Sequence, residues 1–560
     1  MKPLGHHREP SHTEPGGIAA QAPRGALAKM VAIAIVCGAG LALSLPPWGF
    51  WPLAPISAAV LYRVLENRGV RTRALLGFCC GLGMFGPGLF WALSFSVPGG
   101  IVLIIAESCF VAVGAASVPP ATGRVFGFTA AMTLAEAARC TWPFGGLPLG
   151  GVALGQAAGP LAPAARIGGE WLLVALVYLA GAGIAEVLRP ACSLGRLAGL
   201  LGHKPPTGQV PIKDVPTDRT AHESPDAGLA SKRSKTRKIP RFTAGAIALG
   251  FVVAVAGVAA VAPNGGHAIG TVNVAAVQGG GRRGFSMFQI NPATVYEAQV
   301  AASRQLERMT ARHPVSLVLW PEDTIALDGP LVGSPQEKEL SHLARRLHAT
   351  IAAGVTEPSG NTHFLNKIVA WNPSGRIIGQ FEKVHRVPFG EYIPDRSFFS
   401  HLGNLAAVPR NAVPGHGSGL INTPVAPIGI MVSYEVFFPD RARSSVTKGA
   451  ELLVVPTNTS SYSTSQVPTQ EIAASRLRAI EEGRDLLQAA PTGYSAAITN
   501  NGKVLNRSVL GIRQLIIHTL KLRKGKTIYE RLGDPPILIL GALALIAGWT
   551  LELLRRKRTV

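Results

Sequence analysis

Three polar residues follow apolar, strand-like stretches, and their types together could catalyse acyl transfer. Glu322 closes "LVLWPE", Lys383 closes "IIGQFEK", and Ser433 follows "PIGIMV". If these strand ends share one pocket, Glu322 would act as general base on the nucleophile, and Lys383 would stabilise the oxyanion of a tetrahedral intermediate. Alone, each residue has a simpler interpretation, because strand-end charges are usually solvated and a serine before a helix is usually an N-cap. Together they predict a catalytic site.

The elements that must position these residues are short strands alternating with helices across residues 268–525. "TNNGKV" (499–504) predicts a hairpin, because Asn-Gly adopts positive φ at low cost. The alternation is typical of a layered α/β domain. Strands are predicted at 271–278, 315–322, 350–355, 365–372, 376–383, 427–432 and 451–456, and helices at 294–313, 335–348 and 466–484.

The rest of the chain is strongly apolar. Of 560 residues, 47% are hydrophobic and only 15% are charged. A helix needs roughly 20 residues to cross the hydrocarbon core of a bilayer. Eight runs approach that length, which predicts a multi-pass membrane protein whose first run is an anchor rather than a cleaved signal peptide. They cover 27–45, 50–66, 73–97, 100–120, 122–138, 166–189, 241–262 and 536–554.

Basic residues are concentrated in alternate loops between these runs. The turn "SVPGG" (96–100), by contrast, has no charge. The positive-inside rule then predicts that both termini are cytoplasmic and that the domain between the seventh and eighth runs is extracytoplasmic. The net charge of +22 is explained by these loops and tails, so nucleic-acid binding is not predicted.

Two polar segments and the cysteine distribution complete the domain organisation. Residues 1–26 are predicted to be a disordered cytoplasmic tail, and residues 193–240 a flexible cytoplasmic linker. None of the six cysteines lies after Cys192. The predicted outer domain therefore has no thiol nucleophile, disulfide framework or cysteine-based zinc site.

Several motifs resemble the carbon–nitrogen hydrolase (nitrilase) superfamily and, within it, the apolipoprotein N-acyltransferase family. They are "WPE", "EKVHRVPFGEYIP" (382–394), "SYEVFFPD" (433–440), "LPPWGFWPLAP" (45–55) and "FGGLPLG" (144–150). The resemblance implies an extracytoplasmic αββα nitrilase-like sandwich at 268–525. It would be seated on an eight-helix transmembrane bundle in the bacterial plasma membrane, made of seven helices within 27–262 and a final helix at 536–554.

The resemblance also implies an activity. Family enzymes take an acyl chain from a membrane phospholipid onto a catalytic cysteine and pass it to the α-amine of an S-diacylglyceryl cysteine of a lipoprotein. By motif, Glu322 would be the general base and Lys383 the oxyanion stabiliser, with Glu391, Tyr434 and Glu435 in support. The partners would be phospholipid, diacylated lipoprotein and the bilayer. No metal or soluble cofactor is implied.

Two departures from the family pattern bear on the chemistry. The family's cysteine position is Ser433 here, and a serine hydroxyl must lose its proton during attack, whereas a thiol with a pKa of about 8.5 ionises readily. The family usually has a tryptophan shortly after "VQG", whereas "VQGGGRRGFSMF" (277–288) has none, and Phe285 or Phe288 could replace it.

Four interpretations stay open at the level of sequence. In the first, Ser433 is a true serine nucleophile. In the second, the chain is a weak or silent paralogue that binds phospholipid or lipoprotein. In the third, the chain is an active enzyme whose cysteine has been altered to serine. The outer domain could also be a soluble-type amidase that is only anchored in the membrane. That activity would need one membrane span rather than eight and would not need a large apolar cleft facing the bilayer.

Overall fold

The structure, a computed structural model, describes most of the chain. Three parts of the chain that the sequence analysis singled out lie outside the described residues. They are the predicted tail up to residue 23, the predicted linker at 193–240, and the two phenylalanines Phe285 and Phe288. The described ranges are 24–189, 241–281, 291–310, 314–400, 408–462 and 466–558.

Each of the eight apolar runs contains a helix. Five of the described helices are long and apolar enough to cross a membrane, namely α1, α4, α7, α8 and the closing helix. Helices α2, α3 and α5 are shorter or less apolar. The helices are α1 (Arg24–Ser44), α2 (Leu53–Val64), α3 (Val70–Gly88), α4 (Val97–Ser117), α5 (Arg124–Arg139), a short α6 (Val152–Gln156), α7 (Ala165–Val187), α8 (Arg241–Val261) and the closing helix Pro535–Lys557.

The outward faces of these helices are apolar. Val36 is 69% exposed, Val102 65%, Val253 70% and Ile546 62%. Large side chains of this kind, exposed on several neighbouring helices, indicate an apolar environment such as lipid.

The second half of the chain forms two β-sheets. The first has the strand order β14-β1-β2-β4-β5-β6, with β3 beside β4 and β7 beside β5. Strands β1, β2 and β4 are parallel, and β14 closes the edge antiparallel to β1. Its strands are β1 (Ala268–Gln278), β2 (Leu317–Leu319), β3 (Ile325–Ala326), β4 (Thr350–Ser359), β5 (His363–Trp371), β6 (Ile377–Glu382), β7 (Asn411–Ala412) and β14 (Gln514–Arg523).

The second sheet has the order β13-β12-β11-β10-β9-β8, and its centre, β9 to β11, is parallel. Apolar residues of the two sheets, among them Leu319 and Val454, pack against each other in one buried cluster. The predicted layered α/β domain and the predicted hairpin between β12 and β13 are both present. The strands are β8 (Leu420–Asn422), β9 (Pro427–Ile430), β10 (Leu452–Pro456), β11 (Leu486–Ala489), β12 (Ala496–Ile498) and β13 (Val504–Arg507).

Helices cover the outer faces of both sheets, which gives the αββα layering of a nitrilase-like fold. Helices α9 and α10 pack on the first sheet. Helices α12 and α13 lie between the second sheet and the membrane helices, and α13 is buried along almost its whole length. The helices are α9 (Pro292–Thr310), α10 (Pro335–Leu347), α11 (Arg396–Phe399), α12 (Pro439–Thr447), α13 (Val467–Glu482), α14 (Ile528–Leu532) and α15 (Pro535–Lys557).

Candidate active site

Ser433 lies on a strained turn between β9 and α12. It begins a short 3-10 helix, Ser433–Phe437, and has a φ of +51°, in the left-handed region that a residue with a Cβ rarely adopts. The residue is 8% exposed, so its hydroxyl lies inside the protein. Strain of this kind is retained when the surrounding structure holds it, and it is common at active sites.

The side chain of Glu435 holds this turn against the end of β6. Its Oε2 accepts a hydrogen bond from the backbone N–H of Val432 at 2.8 Å. Its Oε1 accepts hydrogen bonds from the N–H of Val384 at 2.8 Å and of His385 at 3.1 Å. Glu435 therefore fixes the segment that follows Lys383 relative to the turn that carries Ser433.

Lys383 is buried between two carboxylates. Its Nζ donates to Oε1 of Glu322 and to Oε1 of Glu391, each at 2.8 Å. Burial lowers the pKa of Lys383, but Glu322 and Glu391 outweigh that effect and leave the pKa above its ordinary value. The ammonium therefore stays charged, as an oxyanion stabiliser requires.

Asn366, on β5, completes this network, and sequence reasoning missed it. Its Nδ2 donates to Oε1 of Glu322 and to Oε1 of Glu391, each at 2.8 Å. The other oxygen of Glu391 accepts a hydrogen bond from the N–H of Val387 at 2.7 Å. Glu322, Lys383 and Glu391, all singled out from the sequence, thus share one hydrogen-bonded cluster with Asn366.

The hydroxyl of Ser433 contacts a different pair of residues. Its Oγ lies 3.2 Å from Oγ1 of Thr457, which directly follows β10. Thr457 donates to Oε1 of Glu471, a buried residue of α13. Within the described part of the chain, Ser433 Oγ has no other hydrogen-bond partner, so Glu322 and Ser433 are not hydrogen-bonded to each other here.

A cavity of about 290 Å³ adjoins the site where the sandwich meets the membrane region. Val384 and Tyr434, the sequence neighbours of Lys383 and Ser433, line it from the sandwich, and Phe144 and Gly145 line it from the loop after α5. The hydroxyl of Tyr434 donates to the carbonyl of Gly146 at 2.9 Å, which ties the turn that carries Ser433 to that loop.

Exposed aromatic rings stand beside this cavity. The ring centroids of Phe144 and Phe389 lie 6.1 Å apart, and those of Phe389 and Phe399 lie 5.0 Å apart. Phe144 is 47% exposed and Phe389 46% exposed. These rings form an apolar surface at the edge of the cavity, next to the membrane helices.

Because Glu435 accepts three backbone hydrogen bonds, we expect Glu435→Gln to destabilise the protein. The amide nitrogen of glutamine would face a backbone N–H, which leaves a buried donor unsatisfied at a cost of about 1–3 kcal/mol. Thermal unfolding in detergent should show a lower melting temperature than that of Glu451→Gln, whose parent carboxylate is paired with the 67% exposed Lys524. Equal melting temperatures for the two variants would contradict this role of Glu435.

Comparisons with known proteins match both halves of the chain. Residues 37–183 match the family model for the apolipoprotein N-acyltransferase N-terminal domain, and residues 273–528 match that for carbon–nitrogen hydrolase. The apolipoprotein N-acyltransferase of Mycolicibacterium smegmatis is 30% identical over 98% of this chain and 90% of its own length. That of Azotobacter vinelandii is 27% identical over 94% and 95%, respectively. A carbon–nitrogen hydrolase structure from Helicobacter pylori covers 45% of this chain and 89% of its own, with a TM-score of 0.35 and 18% identity.

Proposed function

Because this chain belongs to the apolipoprotein N-acyltransferase family, we propose that it moves an acyl chain from a membrane phospholipid to the amino terminus of a diacylated lipoprotein through Ser433. Membership in the family makes the chain an acyltransferase of lipoprotein maturation. The donor, the acceptor and the catalytic residues are the parts that we propose.

One observation carries the proposal: the cavity lined by Val384 and Tyr434, the sequence neighbours of Lys383 and Ser433, lies at the junction with the membrane helices. A phospholipid could place its ester bond there while its acyl chains stay in the bilayer. The exposed rings of Phe144 and Phe389 offer apolar contact along that route. An amidase that acts on small soluble amides would need no such position.

The proposed reaction has two half-reactions. Ser433 Oγ attacks the ester carbonyl of the phospholipid, and the ammonium of Lys383 stabilises the oxyanion that forms. The glycerol oxygen leaves with a proton, and an acyl ester remains on Ser433. The α-amine of the lipoprotein cysteine then attacks that ester, with Glu322 as general base on the amine, and Ser433 recovers its proton.

We further propose the topology that follows from the positive-inside rule. All eight predicted runs would span the bilayer, including α2, α3 and α5. Both termini would be cytoplasmic, and the nitrilase-like sandwich would lie outside the plasma membrane. The site would then face the side of the membrane to which lipoproteins are exported.

The alternative of a silent paralogue is not favoured. Relatives that match nearly the whole chain carry the acyltransferase name. The buried Lys383 also keeps its two carboxylate partners, Glu322 and Glu391.

The test uses the full chain in detergent with a phospholipid and a synthetic diacylated lipopeptide. We expect the lipopeptide to gain one acyl chain on its α-amine, detected by mass spectrometry. A matched lipopeptide with an acetylated α-amine should gain none. Hydrolysis of a small soluble amide without lipopeptide acylation would overturn the proposal in favour of an anchored amidase.

A further inference from the structure

We propose that Thr457 and Glu471 form a proton path to Ser433, separate from the Glu322 cluster, that lets a serine hydroxyl serve as nucleophile. The inference rests on the proposed function, because it assumes that Ser433 Oγ attacks the acyl donor. It assigns catalytic work to two residues that none of the sequence motifs contains.

The path is a continuous chain of buried hydrogen bonds. Ser433 Oγ lies 3.2 Å from Thr457 Oγ1, and Thr457 donates to Glu471 Oε1. Because threonine has one hydroxyl proton, its donation to an ionised Glu471 leaves Ser433 as the donor to Thr457. When Glu471 is ionised, the serine proton is therefore directed along this path.

Glu471 is held in place from its other side. Its Oε2 accepts a hydrogen bond from Nε2 of Gln488 at 3.2 Å. Gln488 is oriented in turn by the hydroxyl of Ser475, which donates to its Oε1 at 2.6 Å, and it donates to the carbonyl of Tyr494 at 2.9 Å. The carboxylate is thus pre-organised to face Thr457.

Glu322 is less well placed for the same task in this structure. One of its oxygens already accepts hydrogen bonds from the Lys383 ammonium and from Asn366, each at 2.8 Å. A thiol ionises readily and needs little help from a base, whereas a serine hydroxyl needs a group that can accept its proton during attack.

Glu471 has the basicity that a serine needs. Burial raises the pKa of Glu471 to about 8, although the hydrogen bond from Thr457 lowers it. The charge of Glu322 raises this pKa further, and the charge of Lys383 lowers it. An ordinary glutamate has a pKa of about 4.3, whereas histidine, a common partner of catalytic serine, has one of about 6.5. Once ionised, Glu471 is therefore a stronger base than an ordinary glutamate carboxylate.

The step balances without a further reactant. Ser433 Oγ forms a bond to the ester carbonyl carbon as its proton passes to Thr457, and the proton of Thr457 passes to Glu471. The bond from that carbon to the glycerol oxygen then breaks. Glu471 returns its proton through Thr457 to the departing oxygen, so that acyl-Ser433, a free glycerol hydroxyl and an ionised Glu471 result. Thr457 contacts the reacting oxygen, and Glu471 exchanges its proton with that oxygen only through Thr457.

The test compares serine and cysteine nucleophiles in the full chain. Single-turnover acylation from a phospholipid with an isotope-labelled acyl chain is measured near pH 8, where about half of Glu471 is ionised. We expect Glu471→Gln and Thr457→Val each to slow acylation of Ser433 by about 10²-fold or more, the usual contribution of a general base. In the Ser433→Cys background the same changes should cost less than about tenfold, because a thiol ionises unaided.

Two controls separate the chemistry from folding. Thr457→Ser retains a hydroxyl and should keep the acylation rate within about tenfold, whereas Thr457→Val, of nearly equal size, should not. Glu482→Gln removes another buried carboxyl of α13, one whose pKa burial also raises to about 8, and should leave acylation unchanged.

Two results would overturn the inference. Equal slowing of the serine and cysteine nucleophiles would show that Glu471 only supports the fold, and no slowing of the serine would show that the path is unused. Failure of the proposed function has a different signature, because either the parent would then take up no acyl chain from phospholipid or Ser433→Ala would still transfer it.

Discussion

Replacing Ser433 by alanine is expected to abolish acyl transfer to a diacylated lipopeptide, with a loss of up to about 10⁶-fold in kcat. Alanine removes the oxygen that would form the acyl ester while leaving the shape of the turn nearly unchanged. The turn is held in place by the side chain of Glu435, which accepts three backbone hydrogen bonds that do not depend on the serine side chain. The measurement is the rate of N-acylation at saturating phospholipid, with the melting temperature as a check of folding.

Ser433→Cys is the matched counterpart of that variant. A thiolate is a better nucleophile than a serine hydroxyl, and a thioester is more reactive toward an amine. We therefore expect Ser433→Cys to exceed the parent by orders of magnitude. An alanine variant as active as the parent would show that another residue is the nucleophile.

The second large effect is expected for Lys383→Met. Loss of the ammonium would remove the proposed oxyanion stabiliser, and loss of such a stabiliser costs about 10²–10³-fold in kcat. It also leaves Glu322 and Glu391 facing each other without a cation, and breaking a buried ion pair in this way costs about 3–5 kcal/mol of stability. Acylation rate and thermal unfolding in detergent would be measured on the same preparations.

Lys367→Met is the control for that experiment. Lys367 is also buried, on β5, where it is paired with Glu357. Its loss should lower the melting temperature by a similar amount but leave the kcat of molecules that remain folded unchanged. If Lys383→Met and Lys367→Met reduced kcat equally, Lys383 would have no special part in the reaction.

The positions of several candidate site residues at strand ends could be predicted, because strand ends carry their own signal. Glu322, Lys383 and Ser433 follow short apolar runs, and the structure has a strand before each of them. Thr457 follows the predicted strand 451–456 in the same way, so the same reasoning could have found it. Asn366 could not be found by this reasoning, because it lies inside β5. Only the pairing of β5 with its neighbouring strands decides where the Asn366 side chain points.

Glu471 shows a second limit of sequence reasoning. The stretch "QEIAASRLRAIEEGR" has the charge content of a solvent-facing helix. In the structure α13 is enclosed between the second sheet and the membrane region, and Arg478 donates to Glu170 of α7 at 2.8 Å. Burial of these charges depends on how two distant parts of the chain dock, which no local pattern records.

Long-range pairing explains what else the sequence could not predict. Strand β14 pairs along its whole length with β1, although more than 200 residues separate them. Each of the two segments can be recognised as a strand by itself, but no local feature of the sequence shows which strand it pairs with. Prediction of the membrane helices is limited in a similar way. Helix α2 has 12 residues, and its side chains are buried by neighbouring helices that its own sequence does not identify.

The most direct test of the account is the chemistry of the acylated protein. The full chain would be incubated with phospholipid alone, digested and analysed by mass spectrometry, and then exposed to diacylated lipopeptide. We expect an acyl group on the peptide that contains Ser433, held as an oxygen ester that resists neutral hydroxylamine and disappears when lipopeptide is added. An acyl group on any other residue, or one on Ser433 that lipopeptide cannot remove, would contradict the account.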